Sequence, residues 1–187
     1  MLPKITPDKI EHNLTSTFKQ ANKYELEDGK TWYNDGNIYL KEIANHFDVP
    51  FQKVAAICAI LSPGNAWSRN IKDTYNLFKT KGKEFVSITY PHNIRKAKKV
   101  LKLKHLGHDQ YVTGPKVSAF YDNLLKPNTS QAITVDTHML RCALNNPDLE
   151  VKGGIPKSIL KQIQNVIQRI ANQLYQAKFV SRKVLRL

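Results

Sequence analysis

Cysteine is scarce in this 187-residue chain: only Cys58 and Cys142 occur. Both stand in apolar helical patterns and read as buried free thiols of a cytosolic protein, and two cysteines cannot supply a four-cysteine iron–sulfur site. Long apolar runs are missing too. No stretch approaches the roughly 18 residues that a membrane span requires, and Met1-Leu2-Pro3-Lys4-Ile5-Thr6-Pro7 has no signal-peptide core, so neither a membrane nor export is expected. No glycine-serine linker, low-complexity tract or internal repeat interrupts the chain, and a hydrophobic share of 41% suits a globular protein. One domain over 1–187 is the economical reading. A phosphate-cradling glycine loop is also absent, because Gly153-Gly154 stands alone. His105 and His108 are three apart, but Asp109 does not complete a ligand set, so no metal and no cofactor is expected.

Acidic residues are few. Asp and Glu number 15 against 29 for Lys and Arg, a formal net charge of +14. A polyanionic partner follows naturally, nucleic acid ahead of an anionic membrane surface, although a merely basic soluble protein has the same balance. Lys178, Arg182, Lys183 and Arg186 crowd the last ten residues.

Helical periodicity dominates what remains, and it predicts an all-α compact bundle of about eight helices. The first runs from about Pro7 to Tyr24, with Ile10, Leu14 and Phe18 on one face. Glu25 to Gly29 reads as a loop, and a second helix follows from about Lys30 to Phe47. Asp48-Val49-Pro50 leads into Phe51 to Leu61, which is apolar almost all round and therefore central to the core. Ser62-Pro63-Gly64-Asn65 forces a turn before a helix over Ala66 to Phe78. A lysine-rich loop covers 79–91, a short basic helix Asn93 to Leu101, and a long helix about Pro156 to Phe179. The helical halves, about 30–112 and 113–187 plus the N-terminal helix, are expected to pack around a cleft.

The most informative stretch is 112–145. Gly114-Pro115 breaks the chain, Pro115 suits a first helical position, and Val117, Phe120, Tyr121, Leu124 and Leu125 recur at helical spacing. Lys116 is thereby placed in a first helical turn, where the dipole disfavours a cation by up to about 1 kcal/mol. After the polar break 126–130 and the extended run Ala132-Ile133-Thr134-Val135, Asp136 reads as N-cap of a helix carrying Met139, Leu140, Ala143 and Leu144.

Gly114-Pro115-Lys116-Val117, followed by Val135-Asp136-Thr137-His138-Met139-Leu140-Arg141, resembles the catalytic segment of the helix-hairpin-helix DNA glycosylases, the superfamily of endonuclease III and the oxoguanine glycosylases. The order of the two motifs and the twenty positions between Lys116 and Asp136 agree with that family. Leu61-Ser62, with Lys72 and Thr74, resembles the family's buried helix and the turn that reaches into DNA. Asn93-Ile94-Arg95-Lys96-Ala97 resembles its N-S-K-A helix start. The chain departs from the pattern twice. Gly64 occupies the position of the intercalating glutamine, for which Asn65 or Trp67 can substitute, with Trp67 as a core anchor the alternative. The hairpin is also reduced to Thr113-Gly114-Pro115 after a short KLKHLGHDQYV segment.

The resemblance implies the glycosylase fold without its iron–sulfur cluster, and a monomer binding double-stranded DNA with a base flipped out. Lys116 and Asp136 are the catalytic candidates. Asn65, Trp67, Lys96, Lys102, Lys104, His105 and Gly114 are the DNA-binding candidates, with His108 a further side-chain contact. Cleavage of the bond between deoxyribose C1′ and a base develops positive charge on the sugar, which a carboxylate such as Asp136 stabilises. A neutral lysine amine can attack C1′ and form a Schiff base, after which elimination cleaves the strand. Lys116 as a phosphate contact and Asp136 as an ordinary N-cap are the alternatives. His138 reads as structural or as a hydrogen-bond partner, and Arg141 as a capping charge. The expected activity is excision of a modified or damaged base, with or without lyase activity, in the cytoplasm, or in a host cytoplasm if the protein is phage-encoded. A non-catalytic DNA-binding protein on the same fold and an enzyme of base hypermodification are the competing readings.

Overall fold

The computed structural model describes residues 5–104, 107–151 and 154–184, with side chains as far as 174. Among these residues there are eight α-helices, a single 3-10 turn at His108–Tyr111 and no strand, so the protein is all-α. No helix among them is long and apolar enough to cross a membrane. The chain divides into two compact units, Glu27–Thr134 and Met1–Leu26 with Val135–Leu187. The division falls between 134 and 135, not near 112 as the sequence suggested, so Lys116 belongs to one unit and Asp136 to the other.

The unit Glu27–Thr134 is built around the helix Phe51–Leu61 (α3). Every residue from Lys53 to Leu61 is buried, as its apolar circumference requires. Packed against α3 are Trp67–Lys79 (α4), Pro91–Lys102 (α5), Pro115–Leu125 (α6) and the 3-10 turn. Truncating a side chain such as Ile57 to Ala should cost about 2–5 kcal/mol in this setting. The helix Lys23–His46 (α2) adds Leu40, Ile43 and Ala44 to the same core. Its Gly36 is a close-approach site: a Cβ there would stand 3.2 Å from Leu124 Cδ2 and 3.3 Å from the Trp67 ring.

Two helix ends in this unit are closed by side chains. Asn37 Nδ2 donates to Leu124 O across 2.6 Å, and Lys53 Nζ donates to Leu103 O across 2.5 Å. Carbonyls at helix C-termini have no intrahelical partner, so both contacts answer a standing need. They account for Asn37 and Lys53 being buried polar residues.

The other unit joins Pro7–Gln20 (α1), Thr137–Leu144 (α7) and Lys157–Val184 (α8), with Ile10, Leu140, Ala143, Ile163 and Val166 buried. Thr6 Oγ1 caps α1 by accepting from Lys9 N, and Pro7 takes the first helical position. Asn13 Nδ2 donates to Ala143 O across 2.9 Å, tying α1 to the end of α7. Arg169 of α8 forms ion pairs with Asp8 and Glu11 of α1.

The structure moves one predicted boundary substantially. α1 ends at Gln20, and α2 begins at Lys23, straight through the segment Glu25–Gly29 that reads as a loop. A reciprocal capping box is the cause: Glu25 N donates to Asn22 Oδ1 at 3.0 Å, and Asn22 N donates to Glu25 Oε2 at 2.8 Å. Smaller shifts put the start of α5 at Pro91 and the end of α8 at Val184.

Candidate catalytic residues and nucleic-acid interface

Lys116 is the second residue of α6 and is half-buried. Gly114 holds the N-cap position at φ 94°, ψ 144°, a conformation that glycine adopts without strain. It offers no side chain to cap the helix, Pro115 brings no N–H, and the first helical bond runs from Ser118 N to Gly114 O at 2.9 Å. A Cβ at Gly114 would meet nothing within 4 Å, so the space beside this glycine is open.

Three side-chain contacts hold the path into α6. Lys96 Nζ donates to Thr113 Oγ1 at 2.7 Å, and Ser118 Oγ donates to Val112 O at 3.1 Å. The third is a cluster around the Tyr121 hydroxyl, which lies 2.9 Å from His108 Nε2. Burial first, then the neighbouring Asp109 carboxylate, push the Tyr121 phenol well above its ordinary range. Which of Tyr121 and His108 donates follows the tautomer of the imidazole. His108 is buried and committed to Tyr121. It is not the phosphate contact that the sequence suggested.

The DNA-binding candidates fall into distinct settings. Lys102 and Lys104 are exposed, and Lys96 is half-buried with its ammonium on Thr113. His105 lies outside the described residues. Trp67 packs 4.8 Å from Trp32 and 6.2 Å from Phe120, centroid to centroid, in the aromatic cluster over Gly36. It is a core anchor, because the missing side chain at Gly36 gives the indole a seat. Asn65 is turned inward as well: its Nδ2 donates to Asp73 Oδ2 at 2.9 Å.

Beside the turn Ser62–Asn65 runs a segment that reading 79–91 as a plain lysine-rich loop misses. From Phe85 to Tyr90 inward and outward residues alternate. Phe85 and Thr89 are buried and Ser87 half-buried, whereas Val86, Ile88 and Tyr90 are 84%, 59% and 56% exposed. The inward set is latched: Ser87 Oγ donates to Asp73 Oδ2 at 2.6 Å and Thr89 Oγ1 donates to Pro63 O at 2.7 Å. The Tyr90 ring lies parallel to that of His92, with centroids 5.8 Å apart. The period-two alternation in Phe85-Val86-Ser87-Ile88-Thr89-Tyr90 is the sequence signal that would have revealed it.

In the other unit Asp136 is the N-cap of α7, and its Oδ1 accepts from Met139 N at 2.9 Å. His138 is exposed. Arg141 Nε donates to Leu149 O at 3.1 Å, which makes it a fastener of the loop after α7. A cleft of about 610 Å³ between α1 and α8 is lined by the Arg169 ion-pair network with His12, Thr15, Ser16 and Lys19, and by none of the candidate residues. Among the described residues no group of three or more His, Cys, Asp or Glu side chains could hold a metal ion.

A protein-family model matches residues 2–176, that of a family of unknown function (DUF7178). No curated protein and no solved structure matches the chain.

Proposed function

The chain belongs to this family of unknown function, and we propose that it is a DNA glycosylase that excises a modified or damaged base, with lyase activity supplied by Lys116. The observation that carries the proposal is the position of Lys116, second in α6 behind an uncapped glycine N-cap with open space beside it. An attacking group there is held on a rigid helix and stands next to an anion-friendly helix start. The amine nitrogen bonds to C1′ as the base leaves with the bonding pair and takes up a proton. Opening of the C1′–O4′ bond, with loss of a proton from the nitrogen and protonation of O4′, gives the Schiff base; removal of a C2′ proton then expels the phosphate at C3′ and breaks the strand.

By the resemblance of Val135-Asp136-Thr137-His138, Asp136 is the second catalytic candidate, a carboxylate of the kind that offsets positive charge on a sugar. Its cap uses Oδ1, so the carboxylate is held in one orientation by Met139 N. The exposed lysines of α5 and of the segments on either side of it supply phosphate contacts. The same Oδ1 bond favours a second reading, since a purely structural N-cap makes it too: a DNA-binding protein with no chemistry. The two separate in one assay. Duplexes carrying different modified bases are incubated with the protein, and free base and strand breaks are measured. The glycosylase releases one class of base, and Asp136→Asn releases far less. Retention of every base, with binding intact, supports the non-catalytic reading.

A further inference from the structure

We infer that residues 85–92 form a stacking platform for unpaired nucleobases, with Tyr90 and His92 as its flat face and the flanking basic residues as phosphate contacts. The inference rests on nucleic acid being the polyanionic partner, as in the reading above, and needs no chemistry at Lys116 or Asp136.

The segment is built to keep apolar side chains outside. Val86, Ile88 and Tyr90 face solvent on alternate residues, whereas Phe85, Ser87 and Thr89 hold the backbone to the unit. Asn93 Nδ2 reaches Thr89 Oγ1 at 3.4 Å, and Asp73 and Pro63 receive the other latches, so three separate elements fix the strip. Apolar side chains gathered outside on a pinned backbone are the kind of surface that an interaction site presents. Tyr90 also stands over Gly64, where an added Cβ would lie 3.8 Å from the ring. Gly64 itself adds no side chain beside that ring.

Charge identifies the occupant. Between residues 79 and 104 there are nine Lys and Arg against one acidic residue, Glu84, whereas Glu27–Thr134 as a whole has sixteen against nine. Outside this segment the unit is close to neutral. Lys81 and Lys83, just before the strip in sequence, are exposed. After it, Arg95, Lys99 and Lys102 follow at i, i+4 and i+7 on the face of α5 opposite the buried Asn93, Ala97 and Val100. An apolar protein surface has no use for that many cations around it. A strand of nucleic acid has, because aromatic faces stack its bases while lysines track its phosphates. The bases must be unpaired, since paired bases have their faces covered by neighbours in the duplex.

The test uses the full chain, a short single-stranded DNA of mixed sequence carrying 2-aminopurine, and the duplex of equal length. The wild type should prefer the single strand and quench 2-aminopurine on binding. Tyr90→Ala should weaken single-strand affinity about tenfold and restore emission, with an unchanged salt slope, whereas Tyr90→Phe retains affinity and quenching. Lys99→Gln should lower the salt slope by about one and leave the quenching in place. Tyr90 is exposed, so its variants should melt like the wild type. Wild-type affinity and quenching in Tyr90→Ala, a preference for duplex, or no binding of either DNA overturns the platform. Loss of affinity in Tyr90→Ala without any base release from modified duplexes leaves the platform standing and removes only the glycosylase.

Discussion

Asn65 Nδ2 donates to Asp73 Oδ2 across 2.9 Å, and the same carboxylate oxygen takes a 2.6 Å hydrogen bond from Ser87 Oγ. One buried side chain of α4 therefore joins the turn after α3 to the alternating strip 85–90. Asp73→Ala should cost about 1.5–3 kcal/mol, the range for hydrogen bonds to a charged group, and leave the Asn65 amide without its partner. Urea unfolding measures the loss. Single-strand affinity should fall with it, and unchanged values of both would show that the latch holds nothing.

Stability should decline in alkali. Burial pushes the Cys58 thiol up to about 12 from an ordinary 9.0, against a smaller lowering by a hydrogen bond with Thr74. The native state keeps a proton that the unfolded chain begins to release near 9.0, so the unfolded state binds fewer protons and stability falls as pH rises from there toward about 12. The slope approaches about 1.4 kcal/mol per pH unit for one such group. The Tyr121 phenol is raised as well and adds in the same direction. Denaturant titrations at a series of alkaline pH values should show this slope, and Cys58→Ala should make it shallower.

The two roles of Asp136 are separable. Asp136→Ala removes the acceptor of Met139 N and should cost about 1 kcal/mol, whereas Asn caps nearly as well and should leave stability unchanged. Base release should fall strongly in both variants. If only Ala affects the protein, and only through stability, Asp136 is a cap and nothing more.

Binding should be strongly salt-dependent. A protein of net charge +14 that contacts several phosphates should lose affinity by orders of magnitude between about 50 and 200 mM salt. Fluorescence anisotropy on a duplex of fixed sequence gives the slope. A flat dependence would remove the basic segments from the interface.

Local chemistry carried much of this architecture in plain view. The apolar circumference of Phe51–Leu61 marks α3 as central, and the Pro115 and Asp136 rules put Lys116 and the carboxylate at helix starts, where the structure has them. The start of α2 was hidden because Glu25–Gly29 looks like a polar break until Asn22 and Glu25 are seen as one capping box. Trp67 was harder, since its burial depends on Gly36, a residue distant in sequence whose only contribution is a missing side chain. His108 poses the same difficulty. Its partner Tyr121 is thirteen residues away, and only the fold brings ring and hydroxyl together. The strip 85–90 was legible in its alternation, but nearby lysines masked the pattern.

Attack of the Lys116 amine on the sugar has a direct chemical readout. Borohydride added during reaction with the duplex from which base is released should trap a covalent protein–DNA adduct whose peptide map places the bond on Lys116. Lys116→Gln should form no adduct and no strand break while folding normally, because glutamine is a good helix former. An adduct that persists in Lys116→Gln, or that maps to another lysine, contradicts the account.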